Sequence, residues 1–104
     1  MNNITSDEAQ KLIQAGGITV LDVRTPAEFA GGHIAGAVNI DIYDDSFAEK
    51  VRVLPAEDTY IVVCRSGGRS SQACSFMNEL RFTKVLNLEG GMMGWGAQGL
   101  PMGK

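Results

Sequence analysis

The chain has 104 residues and a net charge of −3, and is 44% apolar and 20% charged. That length holds one domain with a core that needs no disulfide framework or structural metal, and the composition excludes a disordered or collagen-like chain. The acidic balance disfavours nucleic acid as a partner, and the longest purely apolar run, residues 60–64 (YIVVC), is far too short to span a membrane.

No repeat, low-complexity tract or linker interrupts the chain, so residues 1–104 read as one domain. Thr5 and Glu8 make a capping box, and Ala9, Leu12 and Ile13 follow at helical spacing until Gly16-Gly17. A weak strand at Asn3-Ile4 precedes this helix. Residues 18–23 (ITVLDV) read as a buried strand rich in β-branched side chains. Thr25 and Glu28 form a second capping box with Pro26 at the first helical position, and Gly31-Gly32 keeps that helix short.

Residues 37–40 (AVNI) form a short strand, and residues 46–54 a helix ended by Pro55. Residues 60–64 are the clearest buried strand. The spacing predicts a helix over 70–80 with Ala73, Phe76, Met77 and Leu80 on one face. Residues 84–88 (KVLNL) are the last strand, followed by Gly90-Gly91. Strands that alternate with helices and are apolar on both faces predict an α/β fold. Its sheet is central and mainly parallel, with about five strands and helices on both faces. Ligands then bind at the carboxyl ends of the strands, after Val23, Val63 and Leu88.

Residues 1–12 are polar and acidic, without the basic-then-apolar pattern of a secretory signal. A cytoplasmic protein is expected, with Cys64 and Cys74 as thiols rather than a bridge. Residues 1–58 carry ten acids against four bases, while residues 59–104 carry two against five. No acid lies between Thr59 and Asn78, where Arg65 and Arg69 fall. In an acidic protein that is a candidate local anion site.

The segment Cys64-Arg65-Ser66-Gly67-Gly68-Arg69-Ser70 joins the best strand to the best helix. The glycine pair lets the backbone curl so that successive amides point at one atom. The following helix presents its positive end to the same place, and the two arginines add fixed charge. These features favour a thiolate on Cys64 without a histidine base. The plainer reading is a core cysteine beside a glycine-rich turn.

At these residues the chain resembles the rhodanese family of sulfurtransferases. That family's pattern of cysteine, a residue pair, glycine, a single residue and arginine is met by Cys64-Arg65-Ser66-Gly67-Gly68-Arg69. Two further segments are similar to its N- and C-terminal signatures. The first comprises Leu21-Asp22-Val23-Arg24, Glu28-Phe29 and Gly32-His33-Ile34-Ala35-Gly36-Ala37-Val38-Asn39. The second is Leu88-Glu89-Gly90-Gly91-Met92-Met93-Gly94-Trp95. The resemblance implies a rhodanese-like fold over nearly the whole chain. It departs at Leu80-Arg81-Phe82, where the family usually has a glycine, so Arg81 is expected to adopt a left-handed cap.

The resemblance also implies a chemistry. Cys64 would attack the outer sulfur of an anionic donor such as thiosulfate and pass it, as a persulfide, to cyanide, a thiol or a protein cysteine. Arg65 and Arg69 would attract the donor, and Arg69 would also brace the loop. Ser66 and Ser70 would donate hydrogen bonds to the persulfide, with Gly67 and Gly68 shaping the ring of amides. Related phosphatases carry a longer loop, whereas only Arg65, Ser66, Gly67 and Gly68 intervene here. The rival readings are a docking or protein-specific sulfur-relay module on the same fold and, more remotely, a phosphatase or arsenate reductase.

The remaining candidates have structural alternatives. Asp22 and Arg24 would orient substrate or, the favoured reading, brace neighbouring loops as an ion pair. Glu28 is accounted for by its capping box. His33, in a glycine-rich turn, is read as a structural hydrogen-bonding residue rather than a base. Cys74 is read as a small buried side chain, with a resolving thiol as the rival. Trp95, Met92 and Met93 either line a substrate mouth or pack the C-terminal segment. One histidine and two cysteines do not match zinc spacing, so neither metal nor cofactor is expected. A monomer without membrane attachment is expected.

Overall fold

The computed structural model describes residues 2–103. In chain order the elements are β1 (Asn2–Ile4), α1 (Ser6–Ala15), β2 (Ile18–Asp22), α2 (Pro26–Ala30), β3 (Val38–Asn39), α3 (Phe47–Arg52), β4 (Thr59–Val63), α4 (Gly68–Leu80), β5 (Val85–Leu88) and α5 (Gly91–Ala97). The strands form a five-stranded sheet in the order β1-β5-β4-β2-β3. Each neighbouring pair is parallel. Among the described residues no helix is long and apolar enough to cross a membrane.

Strand β4 lies at the centre and is buried on both faces, which is why its sequence is continuously apolar. The pleat sends alternate residues to opposite sides. Tyr60, Val62 and Cys64 join a cluster with Phe47 and Val51 of α3 and with Ala73, Cys74 and Met77 of α4. Ile61 and Val63 join the other cluster, with Ala9 of α1 and Met92 and Trp95 of α5. The two layers sandwich the sheet. Each large apolar side chain buried in them contributes about 1.5–3 kcal/mol relative to exposure.

Both capping boxes form as the spacing predicts, at Thr5 with Glu8 and at Thr25 with Glu28. The weak strand at Asn3-Ile4 is present as edge strand β1, because β5 supplies its hydrogen-bonding partner in register from Asn2↔Leu86 to Ile4↔Leu88. Helix α5 has no counterpart in the sequence reading. Its run GMMGWGA carries internal glycines, each about 1 kcal/mol less favourable than alanine in a helix. Burial of Met92 and Trp95 against the sheet offsets that poor propensity.

The expected left-handed cap at Arg81 does not form. Its φ is −149° and its amide bonds back to the Met77 carbonyl. The chain leaves α4 at a negative φ, so the left-handed conformation that favours glycine is not needed here. An Arg81→Gly variant is therefore expected to lose about 0.4–1 kcal/mol, because glycine only adds freedom to the unfolded chain. Urea unfolding checks this; a stabilised variant would contradict the observed cap.

Candidate active site

The chain runs from β2 outward to β3 and from β4 outward to β5, so the direction of winding reverses between β2 and β4. Their ends are level, with Asp22 beside Val63. Such a reversal leaves an open crevice at the carboxyl ends of the two strands, where α/β sheets bind ligands. Cys64 is the first residue past the end of β4 and sits on its floor, 1% exposed.

The loop after Cys64 is held from outside by α5. The Met92 amide donates to the Cys64 carbonyl at 2.8 Å, and the Met93 amide donates to the Arg65 carbonyl at 2.9 Å. In a trans peptide the carbonyl and the next N–H point opposite ways. Turning the Arg65 carbonyl toward α5 thus turns the Ser66 amide toward the sulfur. Gly67 then takes a left-handed φ of 118°. Its amide donates to Cys64 Sγ at 3.0 Å. The Ser70 hydroxyl lies 3.4 Å from the same sulfur.

Burial pushes the Cys64 thiol up, but these donors outweigh it. The Ser70 hydroxyl and the amides of Ser70, Gly67 and Ser66 bring its pKa below the ordinary thiol value. The depressed pKa and its source in the loop amides thus agree with the sequence. Hydrogen-bond donors carry the shift, and the fork of Arg69 is engaged elsewhere. Arg69 Nη1 and Nη2 donate to Glu28 Oε1 and Oε2 at 2.7 and 2.9 Å. Its guanidinium also lies over the Tyr43 ring, 5.9 Å from the centroid.

Glu28 therefore does more than cap α2. It closes the capping box and clamps the loop of α4 across 41 residues of sequence. Nothing local in the sequence signals that second contact, since it depends on where two different helices end. The Arg69 hydrogen bonds hold the Glu28 carboxyl down at about 2. Arg65, Ser66 and Gly68 remain exposed along the rim.

Asp22 and Arg24 form a brace. Arg24 Nε and Nη2 donate to Asp22 Oδ1 and Oδ2 at 3.0 and 2.8 Å, and Nη2 also donates to the Gly32 carbonyl at 2.8 Å. Asn39 Nδ2 donates to the carbonyls of both residues. The pair, 0% and 7% exposed, ties the end of β2 to the turn after α2. His33 stacks on Phe29 with centroids 3.7 Å apart, and its Nδ1–H donates to the Phe29 carbonyl. That is a structural use of the ring.

Both cysteines are free thiols. Cys74 is fully buried in the α3/α4 cluster, and burial pushes its thiol up to about 12, the opposite of Cys64. Trp95 and Met92 are core residues, and Trp95 Nε1 donates to the Pro101 carbonyl. Met93 is exposed. Among the described residues no group of His, Cys, Asp and Glu gathers as a metal site.

Residues 5–98 match the family described as Rhodanese-like domain. The chain belongs to the rhodanese-like domain family. A sulfurtransferase of Allochromatium vinosum is 34% identical over 103 residues, covering 98% of this chain and 94% of that one. The thiosulfate sulfurtransferase GlpE of Pseudomonas entomophila is 32% identical over 90 residues, covering 86% and 81%. A crystal structure of a rhodanese-related protein from Thermoplasma volcanium superposes with a TM-score of 0.89 at 33% identity, covering 99% and 98%. These likenesses support a rhodanese-family enzyme.

Two expectations follow for this rhodanese-like domain. A Cβ on Gly91 would fall 2.5 Å from the Cys64 carbonyl oxygen and 2.6 Å from the Arg65 carbonyl group, at a φ of 55°. Gly91→Ala is thus expected to cost about 1–3 kcal/mol. It should also raise the Cys64 pKa by about one unit by displacing the loop amides. Ultraviolet thiolate absorbance against pH measures the second effect, and an unchanged titration would show that α5 does not set the loop.

Glu28 supplies the other. Its folded pKa is depressed from 4.5 to about 2, so its contribution to stability is present above 4.5 and is lost as pH falls toward 2. The stability difference between wild type and Glu28→Gln should therefore shrink over that acid range. Urea unfolding at several pH values checks the sign.

Proposed function

We propose that this domain is a sulfurtransferase that moves sulfane sulfur from an anionic donor such as thiosulfate, through a persulfide on Cys64, to a thiophilic acceptor. The observation that carries this reading is the convergence of the Gly67 amide and the Ser70 hydroxyl on one sulfur atom, at 3.0 and 3.4 Å. The amides of Ser66 and Ser70 favour the same anion. The name of the Pseudomonas entomophila relative supports thiosulfate as the donor.

Cys64 thiolate attacks the outer sulfur of thiosulfate. The new S–S bond forms as the old one breaks, and sulfite leaves with the electron pair. The Cys64 persulfide now carries its negative charge on the outer sulfur, within reach of the loop amides. A cyanide or thiolate acceptor attacks that sulfur and releases Cys64 as thiolate. The step needs no general base and no redox cofactor.

The arginines divide the work. Arg69 is held by Glu28 and fixes the loop, while Arg65 is the exposed guanidinium at the mouth and meets the donor's sulfonate end. Asp22 and Arg24 support the floor without touching substrate. The nearly covered sulfur and the short loop suit a single sulfur atom better than a tetrahedral phosphoryl group.

Intact-mass spectrometry tests the intermediate. Thiosulfate should add one sulfur atom, cyanide should remove it, and Cys64→Ser should stay folded and gain none. No gain with thiosulfate but transfer from a persulfidated protein would shift the reading to a relay module, and turnover of a phosphate ester would shift it to a phosphatase. Arg65→Ala is expected to raise the KM for thiosulfate about tenfold while the mass gain at saturation persists.

A further inference from the structure

The Ser70 hydroxyl has one proton and three neighbours able to accept it. Asn87 Oδ1 is at 2.5 Å, the Gly67 carbonyl at 3.1 Å and Cys64 Sγ at 3.4 Å. With the shortest contact made, Ser70 donates to Asn87 and keeps a lone pair for the Cys64 S–H. That arrangement serves the neutral thiol. A thiolate, or a persulfide, has no proton to give and needs one donated to it. Ser70 turns its proton to sulfur readily when Asn87 presents an N–H to the hydroxyl instead of an oxygen.

Asn87 is built to present either. Its Nδ2 donates to Asn3 Oδ1 at 3.1 Å. A carboxamide carries an acceptor oxygen and a donor nitrogen of nearly equal size, so half a turn exchanges them with little change in shape. If Asn87 turns, Asn3 turns with it and the hydrogen-bond chain runs the other way, from Asn3 Nδ2 to Asn87 Oδ1 and from Asn87 Nδ2 to Ser70 Oγ. Ser70 is fully buried and Asn87 is 7% exposed, so water does not replace these bonds at the inner end. Asn3 is exposed on edge strand β1, where its amide turns against solvent.

We propose that Asn87 and Asn3 form a hydrogen-bond switch that reverses the Ser70 hydroxyl as the Cys64 sulfur loses or regains its proton to solvent. Asn87 is then a positioning residue for the nucleophile, acting through Ser70 from the neighbouring strand β5. Its consequence for turnover rests on the sulfurtransferase reading, but the switch itself is a property of the resting thiol. Among the described residues, the charged and titratable groups around Cys64 are Arg69 with Glu28 and Tyr43, Cys74 in α4, Asp22 with Arg24 at the end of β2, and Arg65 beside it. Strand β5 and helix α5 bring no titratable side chain.

Thiolate absorbance against pH, with no sulfur donor present, tests the switch. Asn87→Asp can only accept from Ser70, and Asn3→Asp can only accept from Asn87 and so pins its oxygen toward Ser70. Both are expected to raise the Cys64 pKa by about one unit, tenfold less thiolate at a given pH. The Asn3→Asp shift should persist at high salt, where a bare charge effect is screened. Asn3→Ala should leave the pKa at or below that of wild type, and Asn2→Asp, the charge control on the same strand, should leave it unchanged. A wild-type titration for Asn3→Asp, or a shift equal to that of Asn2→Asp and abolished by salt, would overturn the proposal. Asn3→Asp decides the matter even if Asn87→Asp fails to fold, because the position is exposed. Failure to form a persulfide would sink the proposed function and leave this result standing.

Discussion

Two carbonyls, those of Cys64 and Arg65, point outward at the first turn of α5 and accept from the Met92 and Met93 amides. Because each peptide plane is rigid, the outward Arg65 carbonyl turns the Ser66 N–H the other way, toward the sulfur. The start of the donor loop is thus fixed from behind, by helix α5. Gly91 is the position that permits it, since any Cβ there would meet the loop backbone below 3 Å.

The energetic problem this solves is the burial of an anion. A thiolate with almost no exposure loses its hydration, and that cost alone would keep Cys64 protonated. Donors already in place recover it without reorganising when charge appears. Cys74 shows the contrast within the same apolar cluster, where burial acts and the thiol stays neutral. The difference between the two cysteines is therefore the loop and not the depth.

Ion pairs do the mechanical work at the edges of the site. The Glu28–Arg69 fork joins α2 to the start of α4, and the Asp22–Arg24 pair joins the end of β2 to the turn that follows α2. The first is partly exposed and fixes the orientation of the loop. The second is buried, so removing one partner would leave an uncompensated charge, which typically costs about 3–5 kcal/mol. Holding these side chains to one another leaves the mouth of the site to Arg65.

The sequence by itself determined the parallel α/β architecture, because central strands covered on both faces must be continuously apolar and because capping boxes and glycines mark the helix ends. The loop of donors around Cys64 was legible as well, since its residues are consecutive. Helix α5 was not legible, since its glycines argue against a helix and only burial of Met92 and Trp95 offsets them. The cap at Arg81 was not legible, because the chain leaves α4 at a negative φ with the Arg81 amide bonded back to the Met77 carbonyl, which residue type alone does not signal. The second role of Glu28, the closeness of Gly91 to Cys64 and the Asn3–Asn87–Ser70 chain belong to the tertiary structure. Each joins residues far apart in sequence, and strand order and register alone bring them within hydrogen-bonding distance.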